Sequence, residues 1–164
     1  MFDEETTALA TRVLEVARSA GVSITTVESC TGGLVAGALT AIAGSSDVVD
    51  GGTVTYSNSA KARLGVDPAV IEAHGAVSEP VVRAMAEAGR AAVADGKVVA
   101  VAISGVAGPG GGTAQKPVGL VHFAATAADG TTRHRSERFG DIGRDAVRLK
   151  SVHVALQMLI EATA

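Results

Sequence analysis

A serine in a turn of small residues is the first position in this sequence that suits covalent chemistry. Ser29 lies within residues 28–33 (ESCTGG), between a β-branched run and a stretch of small helical residues. A serine hydroxyl becomes a nucleophile when a base takes its proton, and N–H groups at a helix start suit an oxyanion or phosphate. Gly32 and Gly33 would let a ligand approach the backbone, so the candidate substrate contacts of this turn are Cys30, Thr31, Gly32 and Gly33. The alternative is that Ser29 or Thr31 only caps the helix.

A tyrosine and a lysine share the next polar segment, residues 56–61 (YSNSAK). A desolvated lysine can replace histidine as the base for a serine, which makes Lys61 a candidate partner of Ser29. Tyr56, the only tyrosine of the chain, could stack on a flat ligand ring or donate a hydrogen bond. The alternative is a solvated surface lysine beside a half-buried structural tyrosine.

The longest glycine-rich loop follows the apolar run 98–103. Consecutive N–H groups in such a loop can hold an anion. It is not a Walker A loop, because no Gly-Lys-Ser/Thr follows and it leads into a strand. The alternative is an exposed, flexible hairpin. The candidate phosphate contacts are Ser104, Gly105, Gly108, Gly111 and Gly112.

The other reactive or charged side chains give weaker signals. Cys30 has no histidine in a recognisable motif with it, so a small buried apolar residue is the better interpretation. Arg144, near the start of the last helix, is a candidate anion contact. His122 and His153 are interpreted as structural residues. His134 is expected on a solvated face together with the arginines of the polar strand.

Strands and helices alternate along the chain before a hairpin, which predicts helices on both faces of a mixed sheet. We therefore expect an α/β fold with three layers, α/β/α, and one domain over residues 1–164. Residues 131–139 are predicted to form a polar edge strand. The predicted strands are 22–27, 53–56, 98–103, 119–127 and 131–139. The main predicted helices are 5–19, 34–42, 78–94 and 144–161, with a short helix through Lys61 to Leu64 that Asn58 or Ser59 can cap.

Composition excludes several classes of protein. The net charge is −3 and no basic run exists, which disfavours a clamp on nucleic acid. A single cysteine excludes an internal disulfide, and no cluster has metal-ligand spacing. No apolar run approaches the ~20 residues that span a bilayer, and the start is acidic, so we expect a cytoplasmic protein without membrane contact. The apolar composition and the edge strand make a homodimer plausible.

Four ordered segments resemble one known family. They are residues 25–33, residues 55–61, residues 74–80 (HGAVSEP), and residues 104–112 running into Lys116-Pro117-Val118-Gly119. All four occur in this order in the CinA C-terminal domain family, whose enzymatic members are nicotinamide-nucleotide amidohydrolases. The resemblance covers about residues 5–160.

The resemblance implies an α/β/α fold and hydrolysis of a carboxamide, in which nicotinamide mononucleotide (NMN) and water give nicotinate mononucleotide and ammonia in pyridine nucleotide salvage. It implies no metal and no organic cofactor. By the same resemblance Ser29 is the nucleophile, Lys61 activates it, and Tyr56 neighbours the nicotinamide ring or the proton path. The glycine-rich loop belongs to the nucleotide site, and Arg144 is a phosphate partner, although the segment before it, residues 139–145, is slightly longer than the family pattern.

A second interpretation stays open at this point. The same loops could hold a nucleotide without hydrolysing it, or the chain could be an interaction module, because neither fold nor motif guarantees activity. The joint presence of Ser29 and Lys61 favours the enzyme, since a pure binder needs neither residue.

Overall fold

The central feature of the structure, a computed structural model that describes residues 1–94 and 96–164, is a five-stranded mixed sheet. The strand order is β2-β1-β3-β4-β5. β1 pairs in parallel with β2 and β3, whereas β4 is antiparallel to β3 and β5. The strands are β1 (Ser23–Glu28), β2 (Val49–Val54), β3 (Val98–Gly105), β4 (Leu120–Thr126) and β5 (Thr132–Arg138).

Helices cover both faces of this sheet. They are α1 (Glu4–Ala20), α2 (Leu34–Thr40), α3 (Asn58–Leu64), α4 (Pro68–His74), α5 (Glu79–Ala91) and α6 (Arg144–Thr163), with a short 3-10 helix at Ser45–Asp47. The main core lies between one face of the sheet and the helices α1, α2 and α6. A smaller core lies between the other face and the helices α4 and α5. The predicted three-layer α/β/α fold is therefore confirmed.

The central strand β3 shows how the sequence produces this arrangement. Its residues from 98 to 104 are all buried, as the continuous apolar run predicts for a strand covered on both faces. Val99, Val101 and Ile103 face the main core, while Ala102 faces α5. Alternating large and small side chains let α5 approach the sheet closely.

Two local predictions differ from the structure. The second strand runs over Val49–Val54 rather than 53–56, because Gly51 and Gly52, poor strand formers alone, pair with the neighbouring β1. The helix that carries Lys61 begins at Asn58, and its cap is Ser57, whose hydroxyl accepts the Ala60 N–H at 3.1 Å. The remaining predicted strands and long helices are confirmed within a few residues.

The parallel strands bring three polar segments to one edge of the sheet. β1, β2 and β3 all end there, so the residues that follow them lie side by side. Ser29 follows β1, Thr55 and Tyr56 follow β2, and Ser104 and Gly105 close β3. This edge is where open α/β sheets bind ligands.

Candidate active site

Ser29 and Lys61 meet at this edge of the sheet. The Lys61 Nζ lies 3.2 Å from the Ser29 Oγ, within hydrogen-bonding distance. Ser29 is held in place because its N–H donates to the Ile103 carbonyl of β3 at 3.0 Å. The structure therefore brings together the two residues that the sequence singled out.

Lys61 is a buried lysine rather than a surface one, since only 1% of it is exposed. Its Nζ also donates to the carbonyl of Thr55 at 2.7 Å and reaches that of Tyr56 at 3.5 Å. Burial lowers the pKa of the Lys61 amine from its usual value of 10.5, because the charged form loses its hydration. A lowered pKa is what a lysine needs in order to accept a proton near neutral pH.

A cavity of about 210 Å³ opens in front of this pair. Among the predicted contacts, Cys30, Tyr56, Ser104, Gly105 and Arg144 line it. Ala76, Val77 and Ala107 complete the wall.

Tyr56 and Arg144 bridge the mouth of the cavity. The Arg144 Nη2 donates to the Tyr56 hydroxyl at 3.2 Å, and its Nη1 donates to the Gly108 carbonyl at 2.8 Å. Tyr56 is 62% exposed, so its ring is available to a ligand at the entrance. Gly108 serves this bridge through its carbonyl and does not line the cavity.

The remaining predicted contacts lie outside the cavity wall. Thr31 is fully buried, and Gly33 donates its N–H to the Glu28 carboxylate at 3.0 Å. Gly32 adopts a φ of +59° beside Arg148. In the glycine-rich loop, a side chain on Gly108 or Gly112 would collide with Val118, and Gly111 has a φ of +82°. These glycines shape the loops that surround the cavity.

The start of α2 differs from the expectation that its free N–H groups would hold an oxyanion or phosphate. The Glu28 carboxylate, fully buried, accepts the N–H groups of Gly33, Val35 and Ala36 at 2.9–3.1 Å. A protein carboxylate therefore occupies this helix N-terminus. No side chain caps the helix from its own N-cap position, Gly33, so Glu28 takes that role.

Glu28 and Arg148 are the two charged residues that sequence reasoning missed. The Arg148 guanidinium donates to the carbonyls of Cys30 and Thr31 at 3.2 and 3.3 Å. The only sequence signal for Glu28 is an acidic residue at the end of an otherwise uncharged strand. Arg148 gives no signal, because a helical arginine is ordinarily solvated.

Cys30 fits its interpretation as a small buried residue. It is 5% exposed, and burial raises the pKa of its thiol to about 11, so the thiolate that a nucleophile requires is disfavoured. Within residues 1–94 and 96–164, no group of three or more histidine, cysteine or acidic side chains is arranged to hold a metal ion. In the same residues, no helix is both long and apolar enough to cross a membrane.

The fold and the site define an α/β protein with a serine–lysine pair at the carboxyl ends of its parallel strands. The family model of the CinA C-terminal domain matches residues 6–163. The chain belongs to this family, which confirms the resemblance of the four sequence segments.

Several relatives are closely similar to the chain. Nicotinamide-nucleotide amidohydrolase PncC of Escherichia coli (strain K12) is 51% identical over 162 residues, covering 97% of this chain and 95% of that protein. A CinA-like protein of Mycobacterium marinum is 55% identical over 140 residues, covering 85% of this chain and 32% of that protein. The chain spans about a third of the length of the CinA-like relatives it matches.

A solved structure has the same fold over the whole chain. The competence/damage inducible protein CihA from Agrobacterium tumefaciens superposes with a TM-score of 0.96 at 47% sequence identity. The superposition covers 100% of this chain and 99% of that one.

Proposed function

We propose that this protein hydrolyses the carboxamide of NMN, giving nicotinate mononucleotide and ammonia. The observation that carries the proposal is the 3.2 Å contact between the Ser29 hydroxyl and the buried Lys61 amine at a cavity. An amide is a poor electrophile with a poor leaving group, so it requires an activated nucleophile and a proton donor. The relative named nicotinamide-nucleotide amidohydrolase supports this choice of substrate.

The contacts of Lys61 support its role as the base. Two backbone carbonyls, those of Thr55 and Tyr56, accept from its amine, which leaves the third direction for Ser29. In the neutral amine the two hydrogens satisfy these carbonyls and the lone pair faces the Ser29 hydroxyl. The lowered pKa of Lys61 favours this neutral form.

The reaction then proceeds in two halves. Ser29 Oγ attacks the carboxamide carbon while its proton passes to Lys61, and the tetrahedral oxyanion forms. Lys61 returns that proton to the leaving nitrogen, the C–N bond breaks, and ammonia departs. Water next attacks the acyl-serine with Lys61 as base, releasing nicotinate mononucleotide and restoring the hydroxyl.

The oxyanion needs donors that the protein does not already use. We assign this role to the N–H group of Cys30, the residue after the nucleophile, which lines the cavity and donates no hydrogen bond to another described residue. The N–H groups at the start of α2 donate to the Glu28 carboxylate instead. Preorganised N–H donors of this kind contribute about 3 kcal/mol each to transition-state stabilisation.

The rest of the substrate is expected to lie across the mouth of the cavity. The nicotinamide ring enters beside Cys30 and Ser104, with the ring of Tyr56 at the entrance. The phosphate would accept from Arg144, replacing the bond of that guanidinium to Tyr56, and would approach the loop of residues 104–112. Arginine suits this task because its planar fork binds phosphate oxygens in pairs.

Removal of the nucleophile tests the proposal directly. Ser29→Ala should lower ammonia release from NMN about a thousandfold or more while NMN binding is largely kept. Ser46→Ala, at an exposed serine of the 3-10 helix, is the matched control and should keep the parent rate. Ammonia release from NMN is measured for the parent and for both variants. A Ser29→Ala variant that releases ammonia at the parent rate would contradict the assignment of Ser29 as the nucleophile.

The sheet edges bear on the oligomeric state. β2 and β5 are the outer strands, and each has one edge without a strand partner in the described chain. Such edges favour pairing with a second copy. A homodimer stays a prediction that sedimentation equilibrium would check.

A further inference from the structure

The turn that carries Ser29 has few hydrogen bonds of its own: the Gly32 N–H donates to the Ser29 carbonyl at 3.0 Å and the Leu34 N–H to the Thr31 carbonyl at 3.2 Å. Residues 29–33, here called the nucleophile turn, end in two glycines with φ values of +59° and +96°. Glycine has the largest backbone freedom of any residue, so this turn would sample many conformations if left alone. The amide chemistry, in contrast, requires the hydroxyl to stay within hydrogen-bonding distance of Lys61.

Glu28 holds the far end of the nucleophile turn. Its two carboxylate oxygens accept four donors, three N–H groups at the start of α2 and the Thr26 hydroxyl at 3.1 Å. One of those N–H groups belongs to Gly33, the last residue of the turn. Because Glu28 is fully buried, these bonds do not compete with water.

The backbone of Glu28 is linked to Lys61 through Thr55. Its carbonyl accepts the Thr55 N–H at 2.8 Å, and the Thr55 carbonyl accepts from Lys61 Nζ. Lys61 in turn contacts Ser29, the next residue after Glu28. Nucleophile, base and Glu28 therefore belong to one closed ring of contacts, and a shift of Glu28 changes the Ser29–Lys61 distance.

Arg148 of α6 holds the middle of the nucleophile turn. Its guanidinium donates to the two carbonyls that follow Ser29, those of Cys30 and Thr31. A Cβ on Gly32 would lie 3.4 Å from its Nη2, so the side chain packs directly against the turn. A lysine has one point charge and no fork, so it could not serve both carbonyls in the same geometry.

We propose that Glu28 and Arg148 are positioning residues that clamp the nucleophile turn, one from β1 and one from α6, and thereby set the Ser29–Lys61 distance. The clamp rests on the proposed function for its kinetic consequence. It acts on kcat rather than on substrate binding, because neither side chain lines the cavity. A displacement of about 1 Å at a reacting group costs on the order of a hundredfold in rate.

Glu28→Gln is the first test, since it keeps the shape of the side chain. The glutamine has one acceptor oxygen, and its NH2 would face N–H donors of α2, so the turn must move. Arg148→Lys loosens the same turn from α6, at a half-buried site where loss of folding is less of a risk. Glu15→Gln, at an exposed residue of α1 whose partner is Arg12, is the surface control.

Two measurements decide the matter. Amide hydrogen exchange should accelerate in a peptide covering residues 29–36 in both variants and stay at the parent rate in β3. With NMN, kcat should fall about 10- to 100-fold while KM changes less than about threefold. Glu15→Gln should match the parent in both measurements.

Each outcome has a defined meaning. Unchanged exchange over residues 29–36 in the folded variants overturns the clamp, whatever the substrate. Faster exchange with parent kcat, or a change confined to KM, overturns the positioning role. If Glu28→Gln does not fold, Arg148→Lys decides by the same criteria. A parent enzyme that releases no ammonia from NMN refutes the proposed function, and the clamp is then judged on exchange alone.

Discussion

Lys61 is the residue whose environment most distinguishes this site. It is among the largest of the fully buried side chains of the described chain, and its neighbours are oxygens of Ser29, Thr55 and Tyr56 rather than a carboxylate. Burying an unpaired ammonium is costly, so the protein relieves that cost by favouring the neutral amine. A structural role alone would be served better by an apolar side chain of this size.

The pH dependence of the reaction follows from this burial. Because the pKa of Lys61 in the folded protein lies below 10.5, the neutral base forms at lower pH than for an exposed lysine. We expect kcat/KM for NMN to rise with pH through that lowered pKa and to reach its plateau before pH 10.5. Initial rates of ammonia release over a pH series measure this limb.

A substitution of Lys61 distinguishes a role as proton acceptor from a role that needs only a positive charge. Lys61→Arg keeps a cation that does not lose its proton, so activity should fall at least a hundredfold at every pH. Lys150→Arg, at an exposed lysine of α6, should keep the parent profile. An active Lys61→Arg variant would mean that another group is the base.

Strand β1 positions Ser29, and two neighbouring elements, α5 and β2, each contact this strand at a glycine. Gly89 of α5 lies directly against Val27, and Gly52 of β2 lies against Thr26 and Ala36. The absence of a Cβ at these two positions lets a helix and a strand come close to β1 from two directions. Close approach of this kind keeps the carboxyl ends of the strands, and therefore the site, in register.

An alanine at position 89 tests this contact. Its Cβ would collide with Cγ2 of Val27, a β-branched side chain that cannot rotate away easily. We expect Gly89→Ala to lower the free energy of unfolding by about 1–3 kcal/mol, more than the ~1 kcal/mol that alanine contributes in a helix.

A second helical glycine provides the matched control. Gly37 of α2 has only the Phe2 ring at 3.7 Å from the position of a Cβ, an ordinary contact distance. Gly37→Ala should therefore leave stability unchanged or raise it by up to about 1 kcal/mol. Urea denaturation of both variants measures the difference, and equal destabilisation would show that the contact of Gly89 with Val27 is not responsible.

A pair of histidines forms a polar contact that the sequence placed incorrectly. His134 was expected on a solvated face, yet it is half-buried and its Nε2 lies 2.9 Å from the Nδ1 of His122. The two rings, one on β4 and one on β5, stack with centroids 5.2 Å apart near the start of α5. Glu79 of α5 lies 3.4 Å from the Nδ1 of His134.

This histidine pair predicts how acid affects the whole molecule. Burial, the largest cause, lowers the pKa values of both His122 and His134 below the usual 6.5, and Lys116, Arg83 and Arg138 lower one or the other further while Glu79 opposes them. As pH falls through 6.5 the unfolded chain takes up these protons before the folded protein does. Stability should therefore be fully present above pH 6.5 and decrease below it.

The experiment compares unfolding free energies between about pH 7.5 and pH 5. The double variant His122→Gln with His134→Gln should lose less stability than the parent over this range. His74→Gln, at an exposed histidine, should keep the parent's pH dependence. A double variant with the parent's pH dependence would show that other groups cause the acid sensitivity.

Local patterns were sufficient for most of the elements, though not for β2, and for singling out the residues of the candidate chemistry. The apolar run of β3, the start of α5 at residues 78–80 and the glycine-rich loops depend on near neighbours in the chain, so periodicity and turn chemistry predict them. Ser29, Lys61, Tyr56 and Arg144 could be singled out for the same reason, as motif residues at strand and helix ends.

Only the tertiary structure determines which polar side chains are buried and which groups they contact. Whether Lys61 is solvated or enclosed depends on segments far away in sequence, and so does the half-buried pairing of His134 with His122. Glu28 caps α2 in place of a ligand because the nucleophile turn brings the first N–H groups of α2 back to the end of β1. The free energy of a buried charge depends on all atoms around it, and a linear pattern of residue types does not contain that arrangement.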